Sequence, residues 1–73
     1  MENKKIAIIG VGNMGSAIAV GLIKSGFMQP SDIIATDKKE SSLDEMKKLG
    51  VTVSVDNLEA AKIADVVLLA VKP

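Results

Sequence analysis

Three glycines in a Gly-x-Gly-x-x-Gly pattern limit what this chain can be more than any other feature. Gly10, Gly12 and Gly15 follow directly on an apolar run at residues 6–9. In a strand-to-helix turn of this type, the first glycine makes the sharp bend, the second lets the main chain approach a diphosphate, and the third lets the helix pack on the strand. The first helical turn then presents free N–H groups and a partial positive charge. The pattern therefore predicts an anion-binding loop at the start of a helix.

The surroundings of this loop indicate which anion it suits. A β-branched run precedes it, and a helical pattern with Met14, Ile18 and Leu22 at four-residue steps follows it. An acidic residue, Asp37, stands about 20 residues further on, just after a second apolar run. The combination predicts a dinucleotide site, whereas an isolated motif of this kind could be an ordinary glycine-rich turn.

The composition excludes several classes of function. The 73 residues are enough for one small domain. Nine lysines and no arginine balance nine acids, so there is no electrostatic case for a nucleic-acid partner. Cys and His are absent, which removes disulfides, thiolate metal sites and the usual general base. A signal-peptide pattern and an apolar run of about 20 residues are also lacking, so we expect a cytoplasmic protein with no membrane partner.

Strand-like and helix-like patterns alternate along the chain. Such alternation favours a parallel sheet with right-handed crossovers. With the glycine loop in front, it predicts an α/β Rossmann-type fold of strand order 3-2-1-4, with the ligand outside the carboxyl ends of strands one and four. The predicted strands cover residues 6–9, 33–36, 51–55 and 65–71, and the predicted helices cover residues 13–25, 41 or 42 to 49, and about 57 to 64.

Local signals add detail to these helices. Ser42, with a glutamate three residues later, matches a capping box at the start of the second helix. Gly21 indicates tight packing of the first helix on the sheet, because glycine otherwise costs a helix about 1 kcal/mol relative to alanine. In the third helix, Leu58, Ala61 and Ala64 are predicted to face inward.

The last apolar run, residues 65–71, has the character of a parallel strand covered on both faces. A dinucleotide fold of this type normally has further strands, so we expect residues 1–73 to be the N-terminal part of a dinucleotide-binding domain, truncated after its fourth strand. That strand would be an edge with unpaired main-chain groups. The 73 residues alone are therefore expected to pair with another copy or to be poorly soluble.

Three segments together resemble pyrroline-5-carboxylate reductase. They are residues 8–15 with Gly-x-Gly-Asn-Met-Gly, residues 21–26, and residues 65–73 with the ending Ala-Val-Lys-Pro. The resemblance covers essentially the whole chain. It implies a nucleotide-binding domain followed by a helical dimerisation and substrate domain, which is absent here. It also implies an enzyme that reduces 1-pyrroline-5-carboxylate to L-proline with NADPH or NADH, the last step of proline biosynthesis.

The resemblance further implies a set of cofactor contacts. The loop at residues 9–14 would hold the pyrophosphate, with the main-chain N–H groups of Asn13 and Met14 as donors. Asn57 would lie near the adenosine, cap the third helix, or do both. Residues 70–73 would pass the nicotinamide ribose, although Pro73 could simply end a strand. The implied cofactor-binding residues are Ile9, Gly10, Val11, Gly12, Asn13, Met14, Asp37, Lys38, Asn57, Ala70, Val71, Lys72 and Pro73.

One departure from the family follows the second strand. Many members carry Ser, Asn or Arg there, where a 2′-phosphate would bind, whereas this chain has Asp37, Lys38 and Lys39. Asp37 suits a ribose diol and repels a phosphate, or merely caps a turn, while the two lysines attract a phosphate. NADP and NAD both remain open, and use of both is favoured. If Asp37 discriminates between them, replacing it with Ser is expected to raise the preference for NADPH.

No residue is predicted to be catalytic or to bind a metal. The hydride chemistry belongs to the nicotinamide, and the groups that hold the small-molecule substrate would lie in the absent domain. Lys72 is the one candidate acid, and the alternative for it is a solvent-facing lysine. We expect no turnover from the 73 residues alone, and a homo-oligomer for the full-length enzyme.

Two other classes of protein stay open. Another nicotinamide-dependent enzyme, such as an F420-dependent NADP reductase or a β-hydroxyacid dehydrogenase, would share this N-terminal nucleotide-binding part. A nucleotide-sensing module without catalytic activity would also share it, because a fold alone does not give a function. The Val-Lys-Pro ending favours pyrroline-5-carboxylate reductase.

Overall fold

The computed structural model describes residues 4–70 of the chain. Strands and helices alternate throughout this part, as the sequence predicts, and residue 71 of the predicted fourth strand lies outside it. In chain order the elements are β1 (Ile6–Ile9), α1 (Gly12–Lys24), a 3-10 turn (Pro30–Asp32), β2 (Ile33–Thr36), α2 (Glu40–Lys48), β3 (Thr52–Ser54), α3 (Asn57–Ile63) and β4 (Val66–Leu69).

The four strands form one parallel sheet in the order β3-β2-β1-β4. β1 lies in the centre, where Ile6 is paired with Ile33 of β2 on one side and with Val66 of β4 on the other. The chain leaves β1 for β2, and after β3 it crosses back to the opposite side of β1. The predicted Rossmann-type fold and strand order are therefore confirmed.

Successive residues of β1 point to opposite faces of the sheet, and the helices cover these faces unequally. Ile6 and Ile8 belong to the larger apolar cluster, to which α1 contributes Ala19 and α2 contributes Leu43 and Met46. The other face carries a smaller cluster made of Ala7, Ile9, Ile34 and Ala60, the last from α3. Two helices thus cover one face, and the short α3 covers the other.

The fourth strand is less covered than its sequence predicts. In β4, Val66 and Val67 are partly exposed and Leu69 is 74% exposed. Within residues 4–70, β4 pairs with β1 alone, and α3 packs mainly on β1 and β2. The prediction that both faces of this strand are buried is therefore wrong for the described residues. Pairing of the chain with another copy stays a prediction.

Helix α2 begins slightly earlier than predicted, at Glu40. Lys39 occupies its N-cap position without a side-chain hydrogen bond, and Ser42 lies inside the helix. The prediction of a capping box that starts at Ser42 is therefore wrong. The reason is a tight turn just ahead of the helix. The carboxylate of Asp37 accepts a hydrogen bond from the main-chain N–H of Lys39 at 3.1 Å, which closes that turn and lets the helix start sooner.

Two expectations about helix packing are also corrected. A Cβ on Gly21 would meet no atom within 4 Å, so this glycine does not serve a tight contact. In α3 the fully buried residue is Ala60, with Ala64 beside it, whereas Leu58 is 66% exposed. The inward face of α3 is therefore centred on Ala60 and not on Leu58.

The helices of residues 4–70 are all too short or too polar to span a bilayer.

Candidate functional site

The glycine loop lies at the carboxyl end of β1, between the ends of β2 and β4. The N–H of Val11 donates to the carbonyl oxygen of Thr36 at 2.8 Å, which ties the loop to the end of β2. On the other side, the N–H of Ala70 donates to the carbonyl oxygen of Ile9 at 3.0 Å. The loop therefore sits at the point where the strand order reverses, which is where ligands bind in open α/β sheets.

Each of the three glycines has a distinct environment. Gly10 has a φ of 72° and Gly12 a φ of 35°, a region that residues with a Cβ rarely adopt. A Cβ on Gly12 would meet no atom within 4 Å, so the loop is open at this point. A Cβ on Gly15 would lie 3.1 Å from Cγ2 of Ile8 and from Cγ2 of Val11. Gly15 thus serves helix packing, while Gly12 leaves its main chain open to an approaching ligand.

Three successive N–H groups of the loop are bound by the end of β2. Gly10 donates to Oγ1 of Thr36 at 3.4 Å, and Val11 donates to the carbonyl oxygen of the same residue. Gly12 donates to Oδ2 of Asp37 at 2.9 Å. The main-chain donors up to Gly12 are therefore engaged by the protein itself.

The next N–H groups belong to the first turn of α1, where no intrahelical acceptor exists. Val11, at the N-cap of α1, makes no side-chain capping bond, and the first turn carries no acidic residue. Asn13 and Met14 are both exposed, Met14 to 66%. This end of α1 combines available donors with the positive end of the helix dipole, which suits an anion.

Asp37 lies at the junction between β2 and α2 and uses both carboxylate oxygens locally. Oδ2 accepts from Gly12, and Oδ1 accepts from the N–H of Lys39. These hydrogen bonds, first that from Gly12 and then that from Lys39, lower the pKa of the Asp37 carboxyl below its usual value because they favour the charged form. The side chain is therefore a firmly held carboxylate.

A cleft of about 440 Å³ opens beside the loop at the carboxyl ends of β1 and β2. It brings together five residues that the sequence predicts for the site, and it adds Lys39 and Val55, which that set leaves out. The sequence already predicts that Lys39 attracts a phosphate together with Lys38, whereas Val55 carries no signal beyond the alternation of a strand. The lining residues are Ile9, Gly10, Asp37, Lys38, Lys39, Val55 and Asn57.

Asn57 is the first residue of α3 and lines this cleft. The cap of α3 is Asp56, whose Oδ1 accepts from the N–H of Glu59 at 3.1 Å. The alternative that Asn57 itself caps the helix is therefore wrong. Its amide remains available to the cleft.

The other predicted contacts divide between the loop and the chain end. Val11, Gly12, Asn13 and Met14 form the turn above the cleft, and Ala70 lies beside the loop on the β4 side. The predicted site residues Val71, Lys72 and Pro73 lie outside the described residues. Within residues 4–70, no group of three or more His, Cys, Asp or Glu side chains is placed to hold a metal ion.

Known proteins resemble this chain over essentially its whole length. The pyrroline-5-carboxylate reductase of Methanosarcina acetivorans is 47% identical over 74 residues, which cover all of this chain and 27% of that protein. The solved pyrroline-5-carboxylate reductase of Coxiella burnetii matches with a TM-score of 0.90 and 45% identity, over 99% of this chain and 27% of that one. The Plasmodium falciparum enzyme, solved with NADP bound, matches with a TM-score of 0.77 and 29% identity, over all of this chain and 26% of that one.

These similarities confirm the resemblance found from the sequence motifs. The chain spans about a quarter of the length of the relatives it matches. Residues 5–73 also match the family described as NADP oxidoreductase, coenzyme F420-dependent. The chain therefore belongs to that NADP oxidoreductase family, and it is similar to the pyrroline-5-carboxylate reductases in sequence and in fold.

Proposed function

We propose that this chain is the NAD(P)-binding part of a reductase that converts 1-pyrroline-5-carboxylate to L-proline by hydride transfer from NADH or NADPH. The observation that carries the proposal is the open turn at Gly12, which leads into first-turn N–H groups beside a cleft of about 440 Å³. The 47% identity to a pyrroline-5-carboxylate reductase over the whole chain supports the choice of reaction.

In this proposal, different parts of the site hold different parts of the dinucleotide. The N–H groups of Asn13 and Met14 bind the pyrophosphate, at the positive end of α1. Asp37, Lys38 and Asn57 line the cleft and hold the adenosine half. Ala70, beside Ile9, together with residues 71–73, guides the nicotinamide ribose. The nicotinamide supplies the hydride once bound, and the protein's task here is to fix its position.

The substrate and the remaining chemistry belong to a part of the enzyme that this chain does not supply. We propose that residues 1–73 form the N-terminal part of a nucleotide-binding domain and that a helical domain holds the small imino acid. The 27% coverage of the relatives supports this division. The 73 residues alone then bind cofactor without turnover, and the complete enzyme is a cytoplasmic homo-oligomer.

The cofactor choice rests on charges of both signs at one end of the cleft. Asp37 favours a ribose diol, whereas Lys38 and Lys39 favour a 2′-phosphate, and all three line the same cleft. We therefore propose that both NADH and NADPH bind. The Plasmodium falciparum relative with bound NADP supports at least the phosphorylated form.

A second candidate activity comes from the family itself. Its description, NADP oxidoreductase, coenzyme F420-dependent, favours hydride exchange between NADP and coenzyme F420. Both candidates use the same dinucleotide loop and differ in the second substrate. Adding pyrroline-5-carboxylate or coenzyme F420 to the full-length enzyme with NADPH separates them, and turnover with neither substrate would contradict both.

The dinucleotide site itself can be tested on the present chain. NADH and NADPH are titrated by calorimetry against the wild type, Gly12→Ala and Gly21→Ala. We expect saturable binding to the wild type and to Gly21→Ala, and a loss of about tenfold or more for Gly12→Ala, because the new methyl projects into the open turn. Absence of wild-type binding, or equal binding by all three proteins, would contradict the proposed site.

A further inference from the structure

The carboxylate of Asp37 and the N–H of Gly12 are joined across 25 residues of sequence by a hydrogen bond of 2.9 Å. We propose that Asp37 is a positioning residue, which fastens the glycine loop to the β2–α2 junction and so holds the first-turn donors of α1 in place for a diphosphate. This inference rests on the proposed function and assigns to Asp37 a further task, besides its part in the choice between NADH and NADPH.

The first argument is the way the carboxylate is used. A residue that only selected a ribose would need no partners within the protein. In this chain, each carboxylate oxygen already accepts a main-chain hydrogen bond, Oδ2 from Gly12 and Oδ1 from Lys39. The same side chain thus connects the glycine loop to the start of α2, and removing it would release both.

The second argument is the conformation of Gly12. Its φ of 35° lies in the left-handed region, and no neighbouring atom lies within 4 Å of where its Cβ would be. Side-chain packing therefore does not hold this residue. The contacts that hold it come from its N–H, bound by Asp37, and from its neighbour Val11, whose N–H is bound by Thr36.

The third argument is the sharing of donors along the loop. The N–H groups of Gly10, Val11 and Gly12 are bound by Thr36 or Asp37. A diphosphate that approaches the loop is therefore left with the donors that follow Gly12. Its hydrogen bonds hold the negative charge of Asp37 beside the N–H of Gly12, at the end of the loop that faces β2.

The experiment compares the wild type with Asp37→Asn and with Asp32→Asn as a matched control. Asp32 also accepts a main-chain hydrogen bond, from Gln29 at 3.2 Å, but it lies in the turn before β2, away from the cleft. Two quantities are measured: hydrogen exchange of the Gly12 amide by NMR, and the Kd values for NADH and NADPH.

We expect exchange at Gly12 to rise about tenfold in Asp37→Asn, because the neutral amide oxygen of asparagine is a weaker acceptor than a carboxylate. We also expect both Kd values to rise, with no change in Asp32→Asn. Unchanged exchange at Gly12 would overturn the inference. So would tighter binding of both cofactors, since that result would mean that Asp37 acts chiefly by its charge toward the ligand.

Failure of the proposed function looks different. If the wild type binds neither cofactor, that function is wrong, and the exchange of Gly12 still decides whether Asp37 fastens the loop. If Asp37→Asn does not fold, the Gly12 amide of the wild type is followed from pH 6 down to about pH 2, because the main-chain hydrogen bonds hold the pKa of Asp37 below its usual value. The other charged side chains lining the cleft are those of Lys38 and Lys39. A Gly12 shift that follows the carboxylate supports the fastening, and a flat response overturns it.

Discussion

Gly15, in the first turns of α1, lies against Ala70 at the end of β4, so closely that a Cβ on Gly15 would stand 3.3 Å from the Cβ of Ala70. The same Cβ would stand 3.1 Å from Cγ2 of Ile8 in the central strand. This contact brings the start of the helix, the central strand and the fourth strand to one point. It fixes the distance between the glycine loop and Ala70, which directly follows β4.

The first prediction follows from this contact. Gly15→Ala should lower the free energy of unfolding by about 1 kcal/mol or more, because Ile8 and Val11 are fully buried and have little room to move. Gly21→Ala, in the same helix, should raise it by about 0.5 to 1 kcal/mol, because a Cβ there meets open space and alanine favours the helix. Urea denaturation measures both. Equal stability of the two variants would contradict the packing at Gly15.

The second prediction separates the two neighbours at the start of α3. Asp56→Ala should cost about 1 kcal/mol of stability, because its side chain caps the helix. Asn57→Ala should leave stability nearly unchanged and weaken cofactor binding, because Asn57 lines the cleft and caps nothing. Thermal unfolding and calorimetric titration of both variants test this. The account fails here if Asn57→Ala proves the more destabilising of the two.

The third prediction concerns acid. The N–H of Gly12, and then that of Lys39, hold the pKa of Asp37 below its unfolded-state value. For a lowered pKa, the stabilisation is fully present above the unfolded value of about 4 and is lost as the pH falls through the folded value. Between about pH 5 and pH 3 the wild type should therefore lose more stability than Asp37→Asn.

Urea melts across this pH range, at low salt and at about 0.5 M salt, measure the effect. Salt screens separated surface charges but hardly affects a short hydrogen bond. The difference between the two proteins should therefore persist at the higher salt. Parallel stability curves for the wild type and Asp37→Asn would show that the carboxylate is not held as described.

Much of the fold was accessible from the sequence because the strongest signals are local. The apolar runs at β1 and β2, the positive-φ turn at Gly10 and the alternation of elements depend on neighbours a few residues apart. The 3-2-1-4 order then follows from the handedness of parallel crossovers and the glycine loop.

The errors occurred where distant residues decide the outcome. Leu58 is more apolar than Ala60, yet Ala60 is the residue that packs on Ala7, Ile9 and Ile34, while Leu58 is 66% exposed. The hydrogen bond between Asp37 and Gly12 spans 25 residues. The start of α2 is a local error of a different kind, because it depends on a hydrogen bond from the main-chain N–H of Lys39 to the side chain of Asp37. No periodicity in the sequence reports such contacts.

The most direct measurement is a titration of the ¹⁵N-labelled chain with NADPH, followed by amide chemical shifts. The account predicts saturable changes that are largest at Asn13 and Met14, with smaller ones at Asp37, Lys38 and Asn57 around the cleft. Shifts that do not saturate, or that are largest on α2 and β3 with the start of α1 unaffected, would contradict a dinucleotide site at the glycine loop.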